Sequence, residues 1–166
     1  MKIRQAQEKD IPEVKKIIDS LQVTRKQPNW KEKETGFFEY NKTEQELTSL
    51  LNPYFLVAEE KEILGFALGW KNKLFHKPTG ENKLYLDMLA VKKPGSKEFE
   101  GIAAKLFDKF LNLAKEEKIK KITCHVPKKP WENKKSTKFI EKRKFKKIKE
   151  INTENNIILG EHQLIL

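Results

Sequence analysis

The sequence predicts a single mixed α/β domain with about seven strands in a central sheet and about four flanking helices. Its 166 residues suit one compact domain with its own core. Runs of alternating or continuous apolar residues take turns with segments of helical periodicity, which is the pattern of such a sheet. No repeat, low-complexity linker or Pro/Gly-rich boundary divides the chain. We therefore expect one domain over residues 1–166.

The predicted elements alternate along the chain as strand, helix, helix, three strands, helix, strand, helix and two strands. Strands are expected over residues 2–7, 54–59, 63–70, 84–91, 121–126, 145–151 and 157–165. Helices are expected after Asp10, after Thr43, from about Gly101, and over residues 133–142. Asp10 and Thr43 each have a glutamate three residues later, Glu13 and Glu46, so both are predicted to form capping boxes.

The unit from residue 84 to residue 126 is the first candidate for a ligand site. A strand, a helix and a second strand in this order predict a right-handed parallel crossover. Ligands of such sheets bind at the carboxyl ends of strands, close to the start of the next helix, which here means residues 91–104. Gly101 would let a ligand approach the backbone, and the free amides of the helix start favour a pyrophosphate. An ordinary helix start has the same appearance.

Positive charge is concentrated in one part of the chain. The formal net charge is +11, and residues 115–150 hold 15 Lys and Arg against 5 Asp and Glu. Such a segment attracts anions, which include cofactor phosphates, nucleic acid and acidic proteins. A solubilising lysine surface explains the same composition.

Other classes of protein do not fit the composition. The apolar runs are shorter than a bilayer span, and residues 1–5 lack the apolar stretch of a secretory signal. Cys124 is the single cysteine, which excludes an intramolecular disulfide and a cysteine-based metal cluster. We therefore expect a cytoplasmic protein with no membrane partner and no metal.

Two motifs resemble those of the GNAT acyltransferase superfamily. Gly101-Ile102-Ala103 matches the second half of that family's coenzyme A pyrophosphate loop. The run Asn133-x-x-Ser136-x-x-Phe139-x-Glu141-Lys142-x-x-Phe145 is similar to its pantetheine-side helix. The order of elements agrees over nearly the entire chain. The resemblance implies the GNAT fold and an N-acetyltransferase that passes the acetyl group of acetyl-CoA directly to an amine.

The resemblance also implies which residues bind the coenzyme. The strand end would pair with pantetheine, the helix start would hold the pyrophosphate, and the later motif would contact the pantetheine arm. These residues are Leu89, Ala90, Val91, Glu98, Gly101, Ile102, Ala103, Ala104, Asn133, Ser136 and Phe139.

Several positions depart from the family pattern. Glu98 and Glu100 stand where Gln, Arg or another basic residue is usual, Ile140 replaces a frequent tyrosine, and Lys144 replaces a glycine. The departures leave an alternative from another class, a catalytically weak binding module for a nucleotide-like ligand or RNA. Nucleic acid is the less expected partner, because no aromatic RNA-binding signature accompanies the lysines.

Acetyl transfer needs a group that removes a proton from the amine, and Asp87 is the first candidate. It interrupts an apolar strand, where strand alternation predicts that it shares a face with Tyr85, Leu89 and Val91. Tyr85 is the second catalytic candidate, as a proton relay. A structural role explains either residue equally well.

Other side chains carry weaker predictions. Cys124 and His125 are neighbours in a strand and should point to opposite faces, which argues against a Cys–His nucleophile pair. An acceptor pocket or a core contribution is expected from the aromatic residues Trp30, Phe37, Phe38 and Tyr40. Trp131 would pack on the coenzyme or anchor its loop. The acceptor amine and the oligomeric state, a dimer included, are left open by the sequence.

Overall fold

A computed structural model describes residues 1–74, 77–78, 80–99 and 101–166 of the chain. Its strands are β1 (Lys2–Gln5), β2 (Gln22–Val23), β3 (Phe37–Phe38), β4 (Phe55–Glu59), β5 (Ile63–Lys71), β6 (Lys73–Leu74), β7 (Lys77–Pro78), β8 (Lys83–Val91), β9 (Lys121–Lys129), β10 (Lys146–Asn152) and β11 (Ile158–Ile165). Its α-helices are α1 (Ile11–Ser20), α2 (Glu44–Thr48), α3 (Ile102–Glu116) and α4 (Lys134–Lys142).

Seven strands form the central sheet, in the order β1-β4-β5-β8-β9-β11-β10. All neighbours are antiparallel except β8 and β9, which are parallel and joined through α3. The predicted α/β fold, with about seven strands and about four helices, is confirmed. The parallel pair across the α3 crossover is also confirmed.

The two faces of the sheet carry separate apolar cores. One core joins α1 and α2 to β4, β5 and β8, with Phe55 and Phe66 fully buried at its centre. The other joins α3, α4 and the start of β10 to the opposite face, around Phe107 and Phe110. The sheet is therefore covered by helices on both sides, as expected for this class.

The two predicted capping boxes have different outcomes. Thr43 accepts a hydrogen bond from the Glu46 amide at 3.1 Å and its own amide donates to Glu46 at 2.7 Å, so this box is confirmed. Asp10 makes no side-chain cap at the start of α1. Its carboxylate instead accepts two hydrogen bonds from Arg4, at 2.7 and 2.8 Å, because β1 and the single-turn 3-10 helix Glu8–Asp10 bring the two side chains together.

Candidate active site

A wedge opens between β8 and β9 at their carboxyl ends. The two strands pair from Lys83 with Lys121 as far as Leu86 with Cys124. Both strands then continue, to Val91 and to Lys129, with no further pairing between them in these fully described segments. Backbone groups on the inner edges of the separated strands are thus left to bind another molecule.

A β-bulge at Asp87 accompanies the start of this separation. On the β5 side Leu68 pairs with Met88 and Gly69 pairs with Leu86, so Asp87 is an extra residue in β8. A bulge bends its strand and increases the local twist. The bend turns the second half of β8 away from the direction of its first half.

The bulge also changes which side chains share a face. Tyr85 lies in the core beneath α1 and α2, together with Met88 and Ala90. Leu89 and Val91 instead contact the core beneath α3. The prediction that Tyr85, Asp87, Leu89 and Val91 all share one face is therefore wrong for Tyr85, because the extra residue shifts the alternation by one position.

The wedge forms part of a cavity of about 370 Å³. One end is lined by residues of the β8 end, α3 and α4, namely Leu89, Val91, Ala103, Ser136 and Phe139. The other end is lined by aromatic and ionisable residues, namely Phe37, Tyr40, Tyr85, Asp87 and His125. The predicted site residues are thus divided between an apolar, backbone-rich end and an end that carries titratable groups.

The start of α3 presents its backbone to the first end. Gly101 caps the helix with φ of 79°, and no atom of the described residues would contact a Cβ placed on it. No acidic residue stands in the first helical turn, all of which the structure describes. The amides of Ile102, Ala103 and Ala104 precede the first intrahelical donor, the Lys105 amide, which bonds the Gly101 carbonyl at 3.0 Å. They carry the positive end of the helix dipole. The side chain of Glu98, and Glu100 altogether, lie outside the described residues.

The inner edge of β8 presents amides on alternate residues. The amide of Lys92 donates to Leu64 in β5 at 2.8 Å, and the Ala90 carbonyl also faces β5. Since successive residues of a strand direct their backbone groups to opposite edges, Leu89 and Val91 direct theirs to the wedge. The backbone groups of Ala90 therefore point to β5 and not to the wedge, although the family resemblance assigns Leu89, Ala90 and Val91 together to coenzyme binding.

Asn133 holds the start of α4 in place. Its side-chain oxygen accepts from the Ser136 amide at 3.0 Å, and its side-chain nitrogen donates to the Gly36 carbonyl at 3.1 Å. The loop before α4 is anchored further by Trp131, whose ring nitrogen donates to the Lys33 carbonyl at 2.6 Å. Trp131 thus anchors its loop, which is one of its two predicted roles.

Phe139 lies on the cleft side of α4. Its ring meets Phe107 edge-on at 5.9 Å between centroids, and the Arg143 guanidinium lies 3.7 Å from the ring centroid. Burial lowers the pKa of Arg143, which still carries its charge at neutral pH because the ordinary value is far higher. The stack fixes the Phe139 ring as one wall of the cavity.

Three side chains from three strands form a hydrogen-bonded chain at the other end. The Tyr85 hydroxyl lies 3.2 Å from His125 Nδ1, and His125 Nε2 lies 2.9 Å from Glu161 Oε2. The His125 ring and the Glu161 carboxylate are both largely buried. Burial lowers the pKa of His125, while the bond to Glu161 raises it by a smaller amount.

Sequence patterns did not indicate His125 and Glu161 as catalytic candidates. Cys124 and His125 do point to opposite faces, as predicted, and burial raises the pKa of Cys124 to about 12, so it is no thiolate nucleophile. Adjacency in the sequence suggested only Cys124 as a partner for His125. A carboxylate within the apolar segment 157–165 was the available signal for Glu161, but its partner depends on the β9–β11 register, which pairs it with His125.

The residues 22–42 supply the aromatic wall. Phe37, Phe38 and Tyr40 line the cavity, and Trp30 supports Phe38 with 5.7 Å between ring centroids. The Tyr40 hydroxyl is buried and makes no hydrogen bond to a described residue. Burial, and then the negative charge of Asp87, raise the pKa of Tyr40 well above its usual value, so it remains a hydrogen-bond donor.

Metal ligands and membrane spans have no candidates in the part of the chain that the structure describes. Across those ranges, no group of three or more His, Cys, Asp or Glu side chains is arranged to hold a metal ion. None of the helices there has both the length and the apolar character needed to span a bilayer. His76, an isolated histidine of the sequence, lies outside the described residues.

An open wedge between two parallel strands, next to a helix start that presents its amides, is the arrangement that the resemblance to the GNAT superfamily implies. A sequence model of the Acetyltransferase (GNAT) family matches residues 17–145. The chain therefore belongs to the GNAT acetyltransferase family, and it is an N-acetyltransferase. No curated protein sequence matches the chain significantly.

Several solved structures share this fold over nearly their full length. Ard1 from Thermoplasma volcanium has a TM-score of 0.73 at 19% identity, with 99% of this chain and 97% of that chain covered. A ribosomal-protein-alanine N-acetyltransferase from Brucella melitensis has a TM-score of 0.71 at 19% identity, with both chains fully covered. Arabidopsis thaliana Naa50, bound to the bisubstrate analogue CoA-Ac-MVNAL, has a TM-score of 0.69 at 15% identity, covering 99% of this chain and 98% of that chain.

Proposed function

We propose that this protein transfers the acetyl group of acetyl-CoA to a primary amine by direct attack of the amine on the thioester. The observation that carries the proposal is the separation of β8 from β9 beside the amide-presenting start of α3. The separation leaves an edge on which a pantetheine arm could pair, and the helix start favours a pyrophosphate. Structural relatives bound to coenzyme A, including Rv2747 from Mycobacterium tuberculosis, support this choice of co-substrate.

In this proposal the coenzyme is held largely by backbone. Leu89 and Val91 bond the pantetheine arm, and the amides of Gly101–Ala104 bond the pyrophosphate. Leu89 or Val91 would also donate to the thioester carbonyl, whose oxygen gains negative charge as the amine attacks. Ser136 and Phe139 line the opposite wall, while Asn133 positions α4. Backbone binding of this kind tolerates the family departures at Glu98 and Glu100, since it does not depend on their side chains.

The acceptor would approach through the aromatic end of the cavity. Phe37, Tyr40, Tyr85 and Asp87 are among the residues that line that end. Asp87 is a candidate proton acceptor for the amine, as the sequence suggested, and Tyr85 is a candidate relay. A peptide α-amino group, a lysine side chain and a polyamine all present a primary amine and are the acceptor classes to test.

The binding-module alternative is not favoured, because the family and the structural relatives are acetyltransferases. The site residues also remain compatible with catalysis despite Ile140 and Lys144. Ile140 is buried in the core that α3 and α4 cover, and Lys144 adopts φ of 63° in the turn after α4, the left-handed region where the family has glycine.

Calorimetric titration with acetyl-CoA tests the coenzyme site. Gly101→Glu would place bulk and negative charge at the helix start, and we expect at least about tenfold weaker binding, equivalent to about 1.4 kcal/mol. Gly80→Glu is the matched control, because Gly80 also has positive φ and open space around it but lies outside the cavity. Equal affinities in the wild type and Gly101→Glu would contradict the proposed pyrophosphate site.

A further inference from the structure

The chain Tyr85–His125–Glu161 has a defined direction for its protons. A carboxylate can only accept hydrogen bonds, so the His125 nitrogen that faces Glu161, Nε2, must carry its hydrogen. In a neutral imidazole the other nitrogen, Nδ1, is then an acceptor. The Tyr85 hydroxyl must therefore donate to Nδ1, and its oxygen is the atom of the chain that can take a proton from a substrate.

The chain begins in the proposed acceptor end and ends away from it. Tyr85 and His125 both line the cavity, whereas Glu161 is absent from its lining. Burial raises the pKa of Tyr85 well above its usual value, so the phenol is protonated at neutral pH. Burial lowers the pKa of His125, so the imidazole is neutral and able to accept a proton at the same pH.

We infer that Tyr85 and His125 relay a proton away from the attacking amine, with Glu161 as the positioning residue that stabilises the imidazolium formed. This inference rests on the proposed acetyl transfer and adds residues to its mechanism. Asp87, the candidate base from the sequence, is then a neighbour of the relay. Burial raises the pKa of Tyr85 most, and the negative charge of Asp87 raises it further.

The relay moves one proton for each acetyl group transferred. The amine nitrogen forms a bond to the thioester carbon, and the Tyr85 oxygen takes a proton from that nitrogen while its own proton moves to His125 Nδ1. The carbon–sulfur bond then breaks, and the coenzyme leaves as a thiolate. The proton held by His125 returns through Tyr85 to the sulfur, which regenerates the neutral imidazole and gives free thiol and amide.

Charged and titratable groups of every described element around His125 bear on its titration. Glu161 in β11 favours the imidazolium, while Lys83 in β8 and Lys149 in β10 disfavour it. Burial lowers the pKa of His162 in β11 most, and the repulsion between His162 and His125 when both are charged lowers it further. Tyr85 in β8 remains protonated and so contributes a hydrogen bond and no charge. Loss of the Glu161 charge alone should therefore lower the pKa of His125.

Nitrogen-detected NMR of the uniformly ¹⁵N-labelled wild-type protein tests the relay without any acceptor. We expect His125 to be the Nε2–H tautomer at pH 7, and Glu161→Gln to lower the pH at which it protonates. A His125 Nδ1–H tautomer in the wild type would overturn the inference. A titration of His125 that does not move in Glu161→Gln would overturn it as well.

Kinetics then test the relay in catalysis, with acetyl-CoA and the best amine of a panel containing a pentapeptide, Nα-acetyl-lysine amide and spermidine. Tyr85→Phe and His125→Phe should each lose roughly 100- to 10,000-fold in kcat, the span of general base catalysis. In Glu161→Gln the pH-independent plateau of kcat/KM should fall. The acidic limb of the same pH profile should move to lower pH. A purely structural Glu161 would lower Tm and leave that limb in place.

Tyr54→Phe is the matched control, because Tyr54 is a buried tyrosine that lies outside the cavity. It should leave the acidic limb where it is in the wild type. Acetyl-CoA titration of every variant separates the two proposals. Intact coenzyme binding with wild-type turnover in Tyr85→Phe and His125→Phe overturns the relay alone, whereas absent coenzyme binding in the wild type overturns the proposed function.

Discussion

The β-bulge at Asp87 determines which side chains of β8 lie on the same face of the sheet. Asp87 adds one residue to β8, and this places Tyr85 beneath α1 and α2 while Leu89 and Val91 face the α3 side. The Tyr85 hydroxyl contacts His125 in the neighbouring strand. The sequence indicated both Tyr85 and Asp87 as candidates, but a bulge has no reliable local signature, so their relation to the rest of β8 could not be derived.

Asp87→Asn distinguishes the two candidate bases. If the relay takes the proton, the variant should retain the acidic limb of its pH–rate profile and lose less than about tenfold in kcat, because His125 remains in place. Stopped assays of kcat/KM between pH 5 and 9, compared with His125→Phe, measure this. A loss of 100-fold or more in a folded Asp87→Asn protein that binds acetyl-CoA normally would assign the base to Asp87.

Tyr40 is expected to bind the acceptor. Its hydroxyl is buried in the cavity wall with no described partner, and a buried donor without a partner gains from a hydrogen bond to a ligand. Tyr40→Phe should therefore raise KM for the amine by about tenfold and leave KM for acetyl-CoA unchanged. Tyr54→Phe removes a buried hydroxyl outside the cavity and serves as the control. An unchanged KM for the amine in Tyr40→Phe would exclude this contact.

Among the elements, β1, α1 and β4 are joined by one arginine. Arg4 bonds Asp10 through two nitrogens and Glu59 through the third, at 2.7 Å for the latter. Asp10 also accepts from the Gln7 amide at 2.8 Å. The sequence pattern predicted an N-cap at Asp10, and a strand arginine six residues earlier competes successfully for the same carboxylate because it offers a bidentate, charge-assisted geometry.

Asp10→Asn should lower the free energy of unfolding by about 3 kcal/mol at pH 7, since it leaves Arg4 without its buried partner. Arg4 holds the pKa of Asp10 below its usual range, so this stability is complete above about pH 4 and is lost as pH falls through the folded pKa. Urea unfolding at pH 7 and pH 2.5 should therefore show a smaller difference from the wild type at the lower pH. Asp19→Asn, which breaks an exposed ion pair with Lys15, is the control.

The same difference at both pH values would contradict the ionic role given to Asp10. A difference as small as that of Asp19→Asn would contradict its importance for stability.

Periodicity predicted most of the elements because each buries one face. The residues Val14, Ile17 and Ile18 of α1, and Leu106 and Phe110 of α3, are buried as their helical spacing requires. Short strands without such periodicity, β2 and β3 among them, were not predicted. Their pairing depends on contacts between Val23, Phe38 and Trp131, which are distant in sequence and carry no local signal.

For the whole molecule, the order of elements predicted the fold and indicated the proposed coenzyme end of the cleft, while the proposed catalytic end required the three-dimensional register. Gly101 and the strand before it are adjacent features of one crossover, so the local sequence was enough to propose them as a site. Tyr85, His125 and Glu161 come from three strands, and only the β8–β9 and β9–β11 registers bring them together. A sequence pattern indicates which side chains of a strand share a face, but it does not indicate which residues of the neighbouring strands they contact.

The charge distribution of the whole molecule gives a further prediction. The excess of Lys and Arg in residues 115–150 should make acetyl-CoA binding weaken as salt rises, because screening reduces the attraction of the coenzyme phosphates. Calorimetric titration at 50 and 300 mM NaCl should show lower affinity at the higher concentration. An affinity independent of salt would show that the basic segment does not act on the coenzyme.

Acetyl transfer itself is measured most directly by mass spectrometry of the amine panel after incubation with acetyl-CoA and the wild-type protein, with Gly101→Glu in parallel. We predict one added acetyl group on at least one amine, formed together with an equal amount of free coenzyme thiol. The same product should be nearly absent with Gly101→Glu and present with Gly80→Glu. Binding of acetyl-CoA without acetylation of any amine, or equal product from the wild type and Gly101→Glu, would contradict the proposed function.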